Sequence, residues 1–118
     1  AFERLVATAW EKMGYKVSVT PQSADGGIDV IASQGAGPNA ERVAIQAKNH
    51  SNPVGRPDAQ KLVGATASAP YYSRLFLVAT SGFTQQCVRY AEEQGLLNLV
   101  DGEELCRMMN SLGVQPTE

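Results

Sequence analysis

Phe2, Leu5, Val6, Ala9, Trp10 and Met13 recur at steps of three and four. That spacing predicts an amphipathic helix over residues 2–13, stopped by Gly14. The period then changes to two. Tyr15, Val17 and Val19 alternate with polar residues, which predicts a strand over 15–20. The stretch PQSADGG, residues 21–27, is turn chemistry throughout. A second strand is predicted over 28–33, with Ile28, Val30 and Ala32 on one face and Asp29 and Ile31 on the other. A loop over 34–41 allows a hairpin into a third strand, 42–49.

The second half alternates between helix and strand. Residues 51–57, SNPVGRP, make a connector with two prolines. A helix of small residues follows over 58–69, where Ala59, Leu62, Val63, Ala65 and Thr66 can pack closely on a sheet. The continuous apolar run RLFLVAT, 74–80, predicts a strand covered on both faces. Thr84 can cap a helix over 85–94, with Gly95 as its terminal glycine. A short strand over 96–100 leads to Asp101, which can cap a last helix over 103–112. The tail GVQPTE, 113–118, is expected to fray. The order α-β-β-β-α-β-α-β-α predicts an α/β fold: a mixed central sheet flanked by helices, antiparallel at first and parallel later. No internal repeat or low-complexity segment interrupts it, so residues 1–112 are expected to form one domain.

Composition agrees and adds little. The 118 residues are 43% hydrophobic and 19% charged, with a net charge of −2. Bulk charge does not mark a nucleic-acid binder, so contact with DNA would need a local site or a second domain. Two cysteines, Cys87 and Cys106, stand 19 residues apart without a CxxC or Cys/His cluster. They are expected to be small packing residues of a reduced, cytoplasmic protein, not a zinc site or disulfide framework. No apolar run approaches the roughly 20 residues of a membrane span, and no signal-peptide pattern is visible. The chain begins at Ala1 in a helical pattern without an initiator Met, which suggests a segment cut from a longer chain or trimmed at its start.

The chemistry is concentrated in VAIQAKNH, residues 43–50. Val43, Ile45 and Ala47 make an apolar strand face, while Gln46 and Lys48 share the other with Ala44. Residues two apart on a strand lie roughly 6–7 Å from each other. A strand with one wet face would show the same alternation. Ala44, however, confines the polarity to the strand's far end, and the hairpin can bring Asp29 beside it. Asp29 follows two glycines that permit a tight backbone path, although its position also suits a solvated strand-edge aspartate. An acidic oxygen, an amide oxygen and an ammonium suit metal-assisted hydrolysis of a phosphodiester. Asp29, the Gln46 side chain and the Ala47 carbonyl are candidate ligands for Mg²⁺ or Mn²⁺. Lys48 can hold water and stabilise charge growing on phosphate.

Several motifs in order resemble the Mrr-like restriction endonuclease catalytic domain, a branch of the PD-(D/E)xK nuclease superfamily. They are FE at Phe2 and Glu3, GYxV from Gly14, DGGID from Asp25, IQAK from Ile45, ATSGFT over 79–84 and DGEEL over 101–105. The resemblance covers roughly residues 2–105. It implies the αβββαβ nuclease core and divalent-metal hydrolysis of DNA. Asp29 matches the family's metal-binding aspartate and Lys48 its catalytic lysine. Gln46 falls where the wider superfamily has Glu or Asp and this branch has Gln. Glu3 matches an acid of the first helix near the site, and equally suits the helix dipole.

The resemblance further implies a separate domain reading the target, which can be modified or methylated DNA, and a homodimer for cutting both strands. Lesser candidates for substrate contact are Gln60, Thr80, Ser81 and His50. Arg42, Arg56 and Lys61 can form a basic rim, and Asp25 serves the turn. Two other readings share these residues: an inactive nuclease fold that only binds DNA, and a repair or junction nuclease with the same chemistry.

Overall fold

The computed structural model describes residues 2–20 and 27–114. The elements are α1 (Phe2–Lys12), β1 (Lys16–Val19), β2 (Val30–Gln34), β3 (Glu41–Lys48), α2 (Arg56–Ala65), β4 (Arg74–Ala79), α3 (Gln85–Glu93), β5 (Leu97–Asp101) and α4 (Gly102–Leu112). A 3₁₀ turn, Gly37–Asn39, lies between β2 and β3. The order agrees with the hydrophobic pattern, with no end moved by more than four residues.

The strands lie side by side in chain order, β1 to β5. β1–β2 and β2–β3 pair antiparallel; β3–β4 and β4–β5 pair parallel. Connection length explains the change. A short loop can reverse the chain, whereas parallel neighbours need a crossover, here supplied by α2 and α3.

Helices cover both faces. Val6, Ala9 and Trp10 of α1 and Leu105 and Met109 of α4 pack on Val30, Ala32, Val43, Ile45 and Val78. On the other side, Ala59 and Leu62 of α2 and Cys87 and Tyr90 of α3 pack on Ala44, Leu75, Leu77 and Ala79. Trp10 anchors the first layer. It is 2% exposed and meets Phe76 edge-on, with centroids 5.1 Å apart. Trp10→Ala is expected to destabilise the fold by about 3–5 kcal/mol, because neighbouring rings and methyls cannot fill the void. Urea unfolding of the two proteins measures it, and a loss under about 1 kcal/mol would show that this layer repacks freely.

The expected caps are present. The Thr84 hydroxyl accepts the Cys87 N–H at 3.2 Å, and the Asp101 carboxylate accepts the Glu104 N–H at 2.8 Å. Other details differ from the sequence reading. Gly95 does not close α3. Gln94 does so by donating its N–H to Tyr90 and Ala91, and Gly95 has no left-handed φ. The chain there turns directly into β5, with the Leu97 N–H on the Gln94 carbonyl.

At the other terminus, Gly113 closes α4 at φ +75°, and the Val114 N–H reaches the Met109 carbonyl at 2.8 Å. Val114 packs against the α1/α4 layer, so the predicted tail is held at its first two residues. Residues 115–118 lie outside the described residues. Of the two cysteines only Cys87 is buried, while Cys106 is exposed, and both are free. Leu105 and Met109 take the core stripe of α4, which turns position 106 outward.

Candidate active site

The third strand separates its two faces as the alternation predicts. Val43, Ile45 and Ala47 enter the α1/α4 layer and Ala44 the α2/α3 layer. Ala44 is fully buried and Gln46 is 7% exposed, while the Lys48 side chain is 20% exposed. Polarity therefore appears where the strand emerges from between the helices. Gly27 lies against Gln46: a Cβ there would stand 3.4 Å from Gln46 Nε2, on a backbone at φ +131° that favours glycine. Gln46 Oε1 is buried and has no hydrogen-bond partner among the described residues. An unpartnered buried acceptor costs about 1–3 kcal/mol, so it marks a place where a ligand can repay the loss.

Asp29 stands immediately before β2 and is fixed through its backbone. Its N–H bonds to the Ile45 carbonyl at 2.9 Å, and its carbonyl accepts the Thr20 N–H at 2.8 Å. Its carboxylate Oδ2 accepts the Ala47 N–H at 2.7 Å, a charge-assisted length. Ala47 is the residue between Gln46 and Lys48, so this hydrogen bond sets the Asp29 carboxylate against the backbone of that stretch. A strand residue points its N–H and C=O to the same edge, and successive residues alternate. The Lys48 carbonyl accepts the Thr80 N–H on the β4 side. The Ala47 carbonyl therefore faces the opposite edge, that of Asp29.

The face assigned to Ile28 needs correction. Val30 and Ala32 enter the α1/α4 layer, but Ile28 packs in the α2/α3 layer. Regular pairing with β3 begins only at the Val30↔Ile45 partners. Alternation cannot be extended back through the bend at residues 27–29.

Lys48 meets a residue that the sequence reading did not single out. Its Nζ lies 3.5 Å from Oδ1 of Asp58, in the first turn of α2. The only local signal was an acid at a helix start, which equally serves the helix dipole. Asp58 is also close enough to act on Cys87: burial pushes that thiol up, and the carboxylate adds to it.

Glu3 opens α1 and is half-buried. Its neighbour Phe2 shares a cleft of about 850 Å³ with Asn49 and Thr80, which places the start of α1 at the same end of the sheet as Lys48. Thr80 donates its hydroxyl to Asn49 Oδ1 at 3.0 Å, and Ser81 donates to the Asn52 carbonyl at 2.7 Å. Both hydroxyls fasten the segment that follows β3. His50 is exposed just beyond Lys48.

Gln60 is exposed on α2, two residues from Asp58 and roughly 200° around the helix from it. Asp58, not Gln60, is the α2 side chain paired with Lys48. Arg42 is not part of a rim at the site. It lies six residues from Lys48 along β3, roughly 20 Å away, and its guanidinium stacks on Tyr72 at 4.9 Å. Arg56 stacks on Tyr90 at 5.0 Å, and Lys61 is exposed on α2. Asp25 lies outside the described residues.

Among the described residues no three His, Cys, Asp or Glu side chains gather to hold a metal. The donors at neighbouring positions are oxygens: the Asp29 carboxylate bound to the Ala47 N–H, the orphaned Gln46 Oε1 one residue before Ala47, and the Ala47 carbonyl. Such a set suits a hard divalent cation that keeps several waters, rather than zinc.

Comparison with known proteins places the chain in a family. The chain is 37% identical to the type IV methyl-directed restriction enzyme EcoKMrr of Escherichia coli strain K12, over 96% of its own length and 39% of that protein's. It thus spans well under half of that curated relative. Its fold is similar to that of the DNA modification-dependent restriction endonuclease AspBHI, with a TM-score of 0.75 at 23% identity over 96% of this chain and 31% of that one. It also resembles the MspJI restriction endonuclease solved with a 27-mer oligonucleotide, with a TM-score of 0.61 at 18% identity over 92% and 27% of the two chains. The restriction endonuclease family model Mrr_cat matches residues 1–109, and the chain belongs to that family.

Proposed function

We propose that this chain is the cutting module of a DNA restriction enzyme, a divalent-metal-dependent endonuclease that hydrolyses the phosphodiester backbone. The observation that carries the reading is the 2.7 Å hydrogen bond from the Ala47 N–H to the Asp29 carboxylate. It joins the acid just before β2 to the Gln-x-Lys stretch of β3. Asp29, Gln46 Oε1 and the Ala47 carbonyl would hold Mg²⁺ or Mn²⁺, with Glu3 able to add a carboxylate from the α1 side. When bound, such a cation supplies positive charge at the phosphate and makes water a better nucleophile.

The chain's own groups do the rest. The Ala47 N–H orients the Asp29 carboxylate. Gln46 gives a neutral oxygen, which leaves the cage one negative charge poorer than a glutamate would, and its amide cannot take a proton as a base. The Lys48 ammonium donates hydrogen bonds to a phosphate oxygen or to the attacking water, and it offsets charge that grows in the transition state. Gly27 leaves room above Gln46 that a side chain would fill.

The substrate would be DNA, and modified or methylated DNA is favoured by the names of the relatives, one methyl-directed and one modification-dependent. A chain that covers 39% of such a relative suits a division of labour, with a separate domain reading the target. Two such modules would be needed to cut both strands. The setting would be the cytoplasm, and among the described residues no helix is long and apolar enough to cross a membrane.

Plasmid cleavage tests the reading. Supercoiled DNA should be nicked by the chain with Mg²⁺ or Mn²⁺, and EDTA should abolish this. Nicking that survives EDTA would remove the metal from the reading.

A further inference from the structure

The contact between Lys48 and Asp58 has no place in hydrolysis as described above. It joins the end of β3 to the first turn of α2. At 3.5 Å it is longer than the roughly 2.7–2.9 Å of a charge-assisted hydrogen bond. The side chains keep 20% and 32% of their exposure. Pairs this open to water contribute little and are readily exchanged.

The two partners differ in freedom. The Asp58 backbone is held in place, and its carboxylate sits on a single-carbon stem. Its N–H bonds to the Gly55 carbonyl, and the next residue, Ala59, and Leu62 are fully buried against the sheet. Lys48 carries its charge on a four-carbon stem with rotatable donors. An arriving phosphate would therefore meet a fixed carboxylate and a movable ammonium. Like charges side by side are unfavourable, so the ammonium turns from one to the other.

We propose that Asp58 is a placeholder for the DNA phosphate. It occupies Lys48 in the free protein and must yield the ammonium when the backbone enters. The inference rests on the nuclease reading, because it takes Lys48 as the residue that meets phosphate. It makes Asp58 an acid that weakens DNA binding. On a chain of net charge −2, such a device keeps the site from holding DNA that nothing else anchors.

A double-mutant cycle on this chain tests it. Binding of a short fluorescent duplex in EDTA is measured for the parent, Asp58→Asn, Lys48→Ala and the double variant. The Asn side chain keeps the shape and removes the charge, and circular dichroism checks the fold. Asp58→Asn is expected to bind roughly fivefold tighter, the scale of one weak ion pair. With Mn²⁺ present its KM should fall more than its kcat changes. In the Lys48→Ala background the same substitution should gain much less.

Equal or weaker binding by Asp58→Asn, including binding too weak to detect in both, would overturn the proposal. So would an equal gain with Lys48 absent, which would reveal only a general charge effect. A kcat loss at unchanged KM would instead make Asp58 a tether. The nuclease reading fails separately. A parent that never cuts DNA with either metal, beside a coupled cycle, would leave a binding switch without catalysis. Cutting by the parent beside a flat cycle would sink the placeholder alone.

Discussion

Asp29→Asn is expected to lower metal-dependent cleavage at least ~10³-fold, equivalent to ~4 kcal/mol of transition-state stabilisation, while the fold is kept. The two effects separate because Asp29 would have two roles, one in the fold and one toward the cation. Its Oδ2 accepts the Ala47 N–H, and Ala47 is 9% exposed. An asparagine oxygen can still accept that N–H, so β2 and β3 remain joined. What it loses is the negative charge, the single full charge among the three oxygens that would hold the cation. Asp29→Ala loses both, and leaving the Ala47 N–H unpartnered should cost a further ~1–3 kcal/mol of stability. Single-turnover cleavage beside urea unfolding reads the two effects independently. An Asn variant that cuts within tenfold of the parent would mean that the site has been placed on the wrong acid.

Which parts of this site could be read from the sequence follows from the range of each interaction. The faces of β3 were legible because side-chain alternation is a property of neighbouring residues: Val43, Ile45 and Ala47 go one way, and Ala44 goes the other. The antiparallel-then-parallel sheet followed from connection lengths, which are also written along the chain. The motifs carried the expectation that groups Asp29 with Gln46 and Lys48, and the structure adds the bond from the Ala47 N–H to the Asp29 carboxylate. Composition and spacing alone left a solvated edge acid equally open.

What escaped depends on bends and on contacts between layers. Ile28 was assigned to the wrong face because the alternation was carried through the bend at residues 27–29, where the strand has not yet begun. Asp58 meets Lys48 only after α2 crosses over the sheet. Nothing in PDAQ distinguishes such an acid from one that serves the helix dipole. Arg42 entered the expected basic rim through its charge, yet β3 carries it to the far end of the sheet, over Tyr72. Cys106 was expected to pack because cysteines commonly do, but the stripe of Leu105 and Met109 had already claimed that face of α4.

Lys48→Ala is expected to reduce cleavage by ~10²–10³-fold and to leave metal affinity within a few-fold of the parent. Lys48 offers only donors, so it cannot be a ligand to a cation, and its ammonium is directed at Asp58 in the free chain. Removing it would take away charge available to the phosphate in the transition state and leave Asp29, Gln46 and the Ala47 carbonyl in place. It also leaves Asp58 without its counter-charge, in an exposed enough position for water to compensate. Arginine should restore little, because a planar guanidinium on a different stem cannot take the place of a compact ammonium between a carboxylate and a phosphate. Calorimetric titration of Mn²⁺ in the presence of uncleavable DNA, beside single-turnover cleavage, gives both quantities. If metal affinity falls with activity, Lys48 acts by holding the site's shape, and the stabilising charge must come from elsewhere. If activity alone falls, the ammonium acts on the phosphate or its attacking water, as its place beside Gln46 and Ala47 implies.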